Sequence, residues 1–282
     1  MKTRKNSTKS NKLWKISVIV LGAVFLYCEV TYFVTPLFMV HPNFDEEAAA
    51  ALDDISNVSY MEIQGENCLS GYLLDNPAAE RLLIYFYGIS DDAASSMITF
   101  CEVSRTSDTY SNVDIAVIDW PGYGKSQGRA ADSSLRQAAV DMVDFFTSNA
   151  AYGYDDIIIM GYSLGTGLAA YAASVCGCDD LILLSPYYSV VDLYNSVTPV
   201  FYGPMQALLG FTMDSYKYAA DVDVSPLIIA STSDARVSSE SSRRLSACFP
   251  AGCTFESLNG ISHGDIPTSA EVLRLVADRL DK

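Results

Sequence analysis

Between residues 156 and 176 the chain passes from an almost wholly apolar run, through Gly161-Tyr162-Ser163-Leu164-Gly165, into a stretch of small residues with helix-forming character. No other feature restricts the possible architecture so sharply. A strand can turn straight into a helix only where the backbone passes very close to its neighbours, and Gly161 and Gly165 leave that clearance. The apex residue is then held in strained backbone geometry, with its side chain presented at the carboxyl edge of a sheet. Here that residue is Ser163. The start of the following helix favours negative charge developing beside it.

The rest of the chain fits a sheet of this kind. The segments 57–63 and 68–74 flank Gln64-Gly65-Glu66-Asn67, which predicts an antiparallel hairpin. Apolar runs follow at 82–87, 113–119, 156–161, 181–184, 226–230 and 254–258. Stretches of helix length lie between most of them, at 92–103, 132–148, 163–176 and 239–248, with a last one at 268–280. Continuously apolar strands alternating with helices imply one α/β domain, a mostly parallel sheet with helices on both faces. The stretch 185–224 breaks the rhythm. It lacks a strand signal and carries Tyr187, Tyr194, Phe201 and Phe211 together with Pro199 and Gly203-Pro204. It reads as a small helical insertion, whose aromatics either pack over the sheet or form a cap lining an apolar pocket above Ser163.

A nucleophilic serine needs a base, and histidine suits neutral pH. Only His41 and His263 exist. His41 precedes the fold, whereas His263 follows the last strand. An acid is expected between serine and histidine in the chain, and Asp234 stands just past the 226–230 strand, where catalytic groups gather in open α/β sheets. Asp192, Asp221, Asp223 and Asp265 are weaker candidates. An oxyanion needs two donors, expected from the backbone N–H of Leu164 and from Ile89, with Ser90 as the alternative, in the loop after the 82–87 strand. Gly124-Lys125-Ser126 mimics the end of a phosphate loop, but Asp119 stands where that loop needs glycine, so ATP is not indicated.

With these motifs in place, the chain resembles the α/β-hydrolase superfamily, especially its small-cap serine hydrolases, which include esterases and depalmitoylating or lysophospholipase-like relatives. The resemblance rests on Asp119, Gly122, Tyr123, Gly124, Ser126 and Gly128 in one turn, on Gly161-x-Ser163-x-Gly165, on Ser231, Asp234 and Val237, and on Gly260 with His263. It covers roughly 57–280. One departure is Tyr87-Gly88, where the family usually carries His-Gly. The resemblance implies a Ser163–His263–Asp234 triad cleaving esters or thioesters of small-molecule, lipid or acyl substrates through an acyl-enzyme, with no cofactor and no metal. An aminopeptidase on the same triad and a non-catalytic binding protein on the same scaffold are the alternatives.

The N-terminal region adds a second theme. Residues 1–15 hold six basic residues and no acid, and 16–40 form an apolar run whose only charge is Glu29. That length spans a bilayer, and no small-x-small cleavage site follows it. The expected organisation is a basic cytoplasmic tail at 1–15, a signal-anchor at 16–40, a tether at 41–56 and the hydrolase domain at 57–282 outside the cytoplasm. Residues 41–282 hold 12 of the 18 basic and 33 of the 34 acidic residues, a formal net charge of −21, so nucleic acid is not an expected partner. Six cysteines lie outside the span, and an oxidising compartment predicts at least one disulfide among them, with Cys248–Cys253 the first choice.

Overall fold

A computed structural model describes residues 4–39, 42–148, 156–197 and 199–282. The expected hairpin is present as β1 (Val58–Gln64) and β2 (Cys68–Leu74), paired antiparallel. Then come β3 (Arg81–Phe86), β4 (Val113–Ile118), β5 (Asp156–Tyr162), β6 (Asp180–Leu184), β7 (Leu227–Ser231) and β8 (Thr254–Leu258). All lie in one eight-stranded sheet of order β1-β2-β4-β3-β5-β6-β7-β8, antiparallel at β1–β2 and β2–β4 and parallel from there on. The order reverses around β3, so β3 and β5 are neighbours at the centre. Every residue of β4 and nearly every residue of β3, β5 and β6 is buried, which is why these segments are apolar without alternation.

The covering helices are α3 (Ala93–Thr106), α4 (Asp132–Ser148), α5 (Gly165–Cys176), α8 (Ser239–Ser246) and α9 (Ala270–Leu280). The start of α3 is fixed by a capping box. Asp92 accepts from the Ser95 N–H, and the Ser95 hydroxyl reaches back to the Asp92 backbone. Between β6 and β7 lie α6 (Val190–Val197), a 3₁₀ turn at Gly203–Leu208 and α7 (Ser215–Ala219).

Ahead of the sheet, α1 (Arg4–Met39) contains a 22-residue apolar stretch, Trp14–Thr35, of mean hydropathy 2.0. At 1.5 Å per residue it is about 33 Å long, enough to cross a hydrocarbon core. It is a candidate span by length and composition. Its far end is docked on the domain. Thr35 is buried, its hydroxyl donates to the Leu208 carbonyl (3.4 Å) and accepts from the Gly210 N–H (3.0 Å), and its carbonyl accepts from the Tyr194 hydroxyl. The segment expected to be a free tether is also held down. The Asn43 carbonyl accepts from the Gly124 N–H (2.8 Å), Asp92 accepts from the Asp45 N–H, and α2 (Glu46–Leu52) buries Ala49 and Leu52 where it packs on α3. His41 lies outside the described residues.

The cysteines depart from expectation. All seven are free thiols. Instead of meeting, Cys248 turns its Sγ to the Arg244 carbonyl (3.5 Å) and Cys253 turns its Sγ to the Ser246 carbonyl (3.6 Å).

Candidate active site

The turn after β5 has the geometry its glycines require. Ser163 sits at φ 52°, in the left-handed region that only a few residue types visit without cost. Its N–H donates to the Leu184 carbonyl (2.9 Å), and its carbonyl accepts from the Thr166 N–H (3.0 Å), so both sides of the turn are tied down. A Cβ on Gly165 would lie 2.1 Å from the Phe86 carbonyl oxygen, and one on Gly161 would lie 2.7 Å from the Ala169 Cβ. Neither position can carry a side chain without moving backbone or helix.

Three residues far apart in sequence converge beside this turn. Ser163 Oγ lies 2.9 Å from His263 Nε2, and His263 Nδ1 lies 2.7 Å from Asp234 Oδ2. The second carboxylate oxygen of Asp234 accepts from the backbone N–H groups of Arg236 and Val237, both at 2.8 Å. Burial pushes the Asp234 carboxyl up. The hydrogen bonds from His263, Val237 and Ser185 outweigh burial and hold it below the usual carboxylate range. Asp234 is therefore an anion at neutral pH, which selects the His263 tautomer carrying its proton on Nδ1. Nε2 is left as an acceptor for the Ser163 hydroxyl. This set of groups can remove a proton from Ser163 as its oxygen attacks, and can return that proton to a leaving group.

The weaker acid candidates lie elsewhere. Asp192 pairs with Arg244 (3.0 Å) and accepts from the Ser241 hydroxyl (2.8 Å), and Asp265 accepts from the Ser262 hydroxyl. Asp221 and Asp223 border a separate cavity with Cys176 and Cys178.

The loop after β3 runs beside Ser163. Neither the Ile89 nor the Leu164 N–H makes a hydrogen bond among the described residues, and Ile89 lines the cavity at Ser163. Tyr87 points away from that cavity. It is fully buried and stacked on Trp120 (4.6 Å between centroids, 10° between planes). Its hydroxyl accepts from the Trp120 N–H (3.1 Å) and donates to Asp119 Oδ1 (3.3 Å). A histidine-to-tyrosine change at this position therefore alters how the loop is moored and leaves its backbone donors untouched. Asp119 is buried as well. Desolvation, with the Asp92 charge adding to it, raises its carboxyl to about 7 against hydrogen bonds from the Ala93 and Lys125 amides and the Tyr87 hydroxyl.

The cavity over Ser163 holds about 330 Å³, toward the small end for ligand sites. Tyr85, Phe100, Val103, Tyr110 and Met160 give it an apolar interior, and Ser90, Asp91, Thr99 and Arg236 stand among its polar lining. No described residue of 185–224 lines it, so of the two roles open to the insertion's aromatics, packing is the one seen. They pack on one another and on α5: Tyr188 stacks on Tyr216 (4.6 Å, 10°), Tyr218 meets Tyr171 of α5 edge-on (5.0 Å), and the Tyr187 hydroxyl donates to the Met213 carbonyl (2.9 Å). The wall comes from α3 instead.

Three contributors were not foreseen from the sequence. Ser185 donates to Asp234 (2.7 Å), the Tyr162 hydroxyl donates to the His263 carbonyl (2.7 Å), and Asp91 lines the cavity. Ser185 follows β6, next to the acid-bearing strand, and its place as a polar residue just past an apolar run is a signal too common to have singled it out.

Known proteins share this fold. A sequence model of the alpha/beta hydrolase fold matches residues 83–233. Human ABHD12B is 26% identical over 174 residues, covering 55% of this chain and 46% of that protein. The bem46 protein of Schizosaccharomyces pombe is 24% identical over 150 residues, covering 52% and 46%. The alignments thus take in less than half the length of either relative. Among solved structures, the Pyrococcus furiosus esterase Pf2001 superposes with a TM-score of 0.66 at 17% identity, covering 86% of this chain and 96% of that one. An alpha-beta hydrolase from Vibrio vulnificus gives 0.65 at 19%, covering 91% of each chain. At such identities the likeness is one of fold.

Proposed function

This chain belongs to the alpha/beta hydrolase fold family, and from that membership we propose that it is a serine hydrolase that cleaves carboxylic esters or thioesters at a membrane surface. The observation that carries the reading is the continuous relay from Ser163 Oγ through His263 to Asp234, with steps of 2.9 and 2.7 Å. Ser163 attacks the acyl carbon while His263 Nε2 takes its proton. The negative charge that develops on the substrate oxygen falls to the free N–H groups of Ile89 and Leu164. His263 then hands the proton to the departing alcohol or thiol. Water, activated by the same imidazole, releases the acid from the acyl-enzyme. Asp234 stays ionised throughout and steadies the imidazolium.

The apolar interior of the cavity suits an acyl group of modest size. For the chain as a whole the proposal assigns a basic cytoplasmic tail at 1–15, a membrane anchor within 16–40 whose far end at Thr35 meets the domain, and the hydrolase domain outside the cytoplasm. A fluorophosphonate probe tests the central claim. Wild-type protein should label at one serine, and Ser163→Ala should lose both the label and turnover, a fall of several orders of magnitude. Undiminished labelling of Ser163→Ala overturns the assignment.

Asp91 gives a second reading its one foothold. A carboxylate in the cavity wall can hold a free amine, as an aminopeptidase requires. Turnover of aminoacyl anilides that exceeds turnover of simple esters, and that is lost in Asp91→Asn, favours this reading over the first.

A further inference from the structure

We propose that Ser185 is a positioning residue of this reaction, acting through Asp234 to set the orientation and basicity of His263. The inference rests on the Ser163–His263–Asp234 reading and extends it to a fourth side chain. One oxygen of Asp234, Oδ2, accepts from both His263 Nδ1 and Ser185 Oγ, each at 2.7 Å. The other accepts two backbone N–H groups. Among the described residues, Ser185 is thus the only side chain besides the base that hydrogen-bonds the acid. An ionised carboxylate accepts and cannot donate, so the direction of the bond is fixed.

The backbone at Ser185 points the same way. Its φ is 49°, and Ser163 is the only other non-glycine residue with a positive φ among those described. A left-handed serine persists only where its surroundings over-determine it, and such residues gather at working sites. The surroundings are visible here. The Ser185 N–H donates to the Ile229 carbonyl of β7 (2.7 Å), and the next carbonyl, of Pro186, accepts from the Ser242 hydroxyl of α8 (2.6 Å). Ser185 itself is 1% exposed. If the position served only the path of the chain, glycine would hold it with less strain. What glycine lacks is the hydroxyl, and the hydroxyl is on Asp234.

This bond has two consequences for the reaction. It stops the carboxylate from rotating away when His263 becomes positive, so Nε2 keeps facing Ser163. It also draws negative charge away from Oδ2, which makes the imidazolium less stable and the neutral base more available. Asp91 on the loop after β3 faces His263, the Tyr162 phenol faces Asp234, and Arg236 on the acid loop and Asp265 on the base loop face that phenol. All four are unchanged in the variants below, so a difference between variants reports the hydroxyl.

The test compares Ser185→Ala and Ser185→Gly in the full chain with a soluble ester. Both should lower kcat about tenfold with little change in KM. In both, the acid limb of the kcat/KM profile should move to higher pH by several tenths of a unit. Ser185→Gly should unfold at higher temperature than Ser185→Ala, because it keeps the turn and removes the strain, so one folded variant remains if the other fails. Variants with wild-type kcat and an unshifted acid limb overturn the inference while leaving the Ser163 assignment standing. Labelling that survives Ser163→Ala removes the reading on which it rests.

Discussion

Ser163 and Ser185 hold strained backbones at the carboxyl ends of adjacent strands, β5 and β6, and each directs a hydroxyl at the same relay. Strain of this kind costs about 1–3 kcal/mol per residue, so stability and activity pull against each other here. Ser163→Gly should therefore be more stable than Ser163→Ala by about 1 kcal/mol in chemical denaturation, with both inactive. A second residue-scale expectation concerns Asp119, whose carboxyl is raised to about 7 by burial. In the unfolded chain it titrates near 4. Between those values the folded state binds the extra proton, so stability from this group is full at acidic pH and is lost as pH rises toward 7 and beyond. Asp119→Asn keeps an acceptor for the Ala93 N–H but has no proton to lose. Its melting temperature relative to wild type should climb from pH 5 to pH 8, and a constant difference would refute the shift. The meeting of Ser163, His263 and Asp234 was legible because the glycine-flanked turn, the shortage of histidines and the ends of apolar runs leave few options. Ser185 was not legible, since its importance comes from the β6–β7 pairing that sets it beside Asp234, and no local pattern records a pairing.

The elements themselves were largely readable, because buried parallel strands and amphipathic helices leave different periodicities. β4, α4 and β8 begin where the apolar runs predicted, while α5 starts two residues later than expected, at Gly165, because Ser163 and Leu164 are used up in the turn. The insertion at 185–224 was readable as helical but not as to what it covers. Aromatic content says that rings are buried and is silent on their partners. The cavity wall is instead supplied by α3, with Phe100 and Val103 facing Tyr85 and Met160. This predicts where substrate preference resides. Phe100→Ala should shift kcat/KM toward longer acyl chains by about tenfold across a series of p-nitrophenyl esters, at a stability loss of about 3 kcal/mol. Tyr202→Ala, in the insertion, should leave the series unchanged. If the Tyr202 variant alters chain-length preference and the Phe100 variant does not, the wall has been misassigned.

For the molecule as a whole, the domain carries its excess of acids on the far side of an apolar helix from a basic tail, which is the asymmetry that orients a single-pass anchor. Protease added outside sealed vesicles should digest 41–282 and spare 1–15, and the opposite pattern would reverse the orientation. Removing 1–40 should leave turnover of a short soluble ester nearly unchanged, since the docked end of α1 touches the insertion rather than the cavity. Turnover of a bilayer-embedded ester should drop about tenfold through lost effective concentration. Equal losses would make the helix an address alone.

The contact at Thr35 turns that helix from a leash into a rigid handle. A leash lets its load swivel, whereas a helix pinned through a buried hydroxyl and a tyrosine passes its own tilt on to what it carries. An apolar helix tilts further in a thin bilayer and stands straighter in a thick one. The cavity should then change its attitude to the lipid surface as the membrane changes thickness, and the protein would sense bilayer thickness without a separate sensor. Reconstituted into vesicles of graded acyl length, the wild type should show a thickness optimum with a bilayer-embedded ester and none with a soluble one. Thr35→Ala combined with Tyr194→Phe, which removes both the hydroxyl contacts and the tyrosine pin, should flatten that optimum by restoring the swivel.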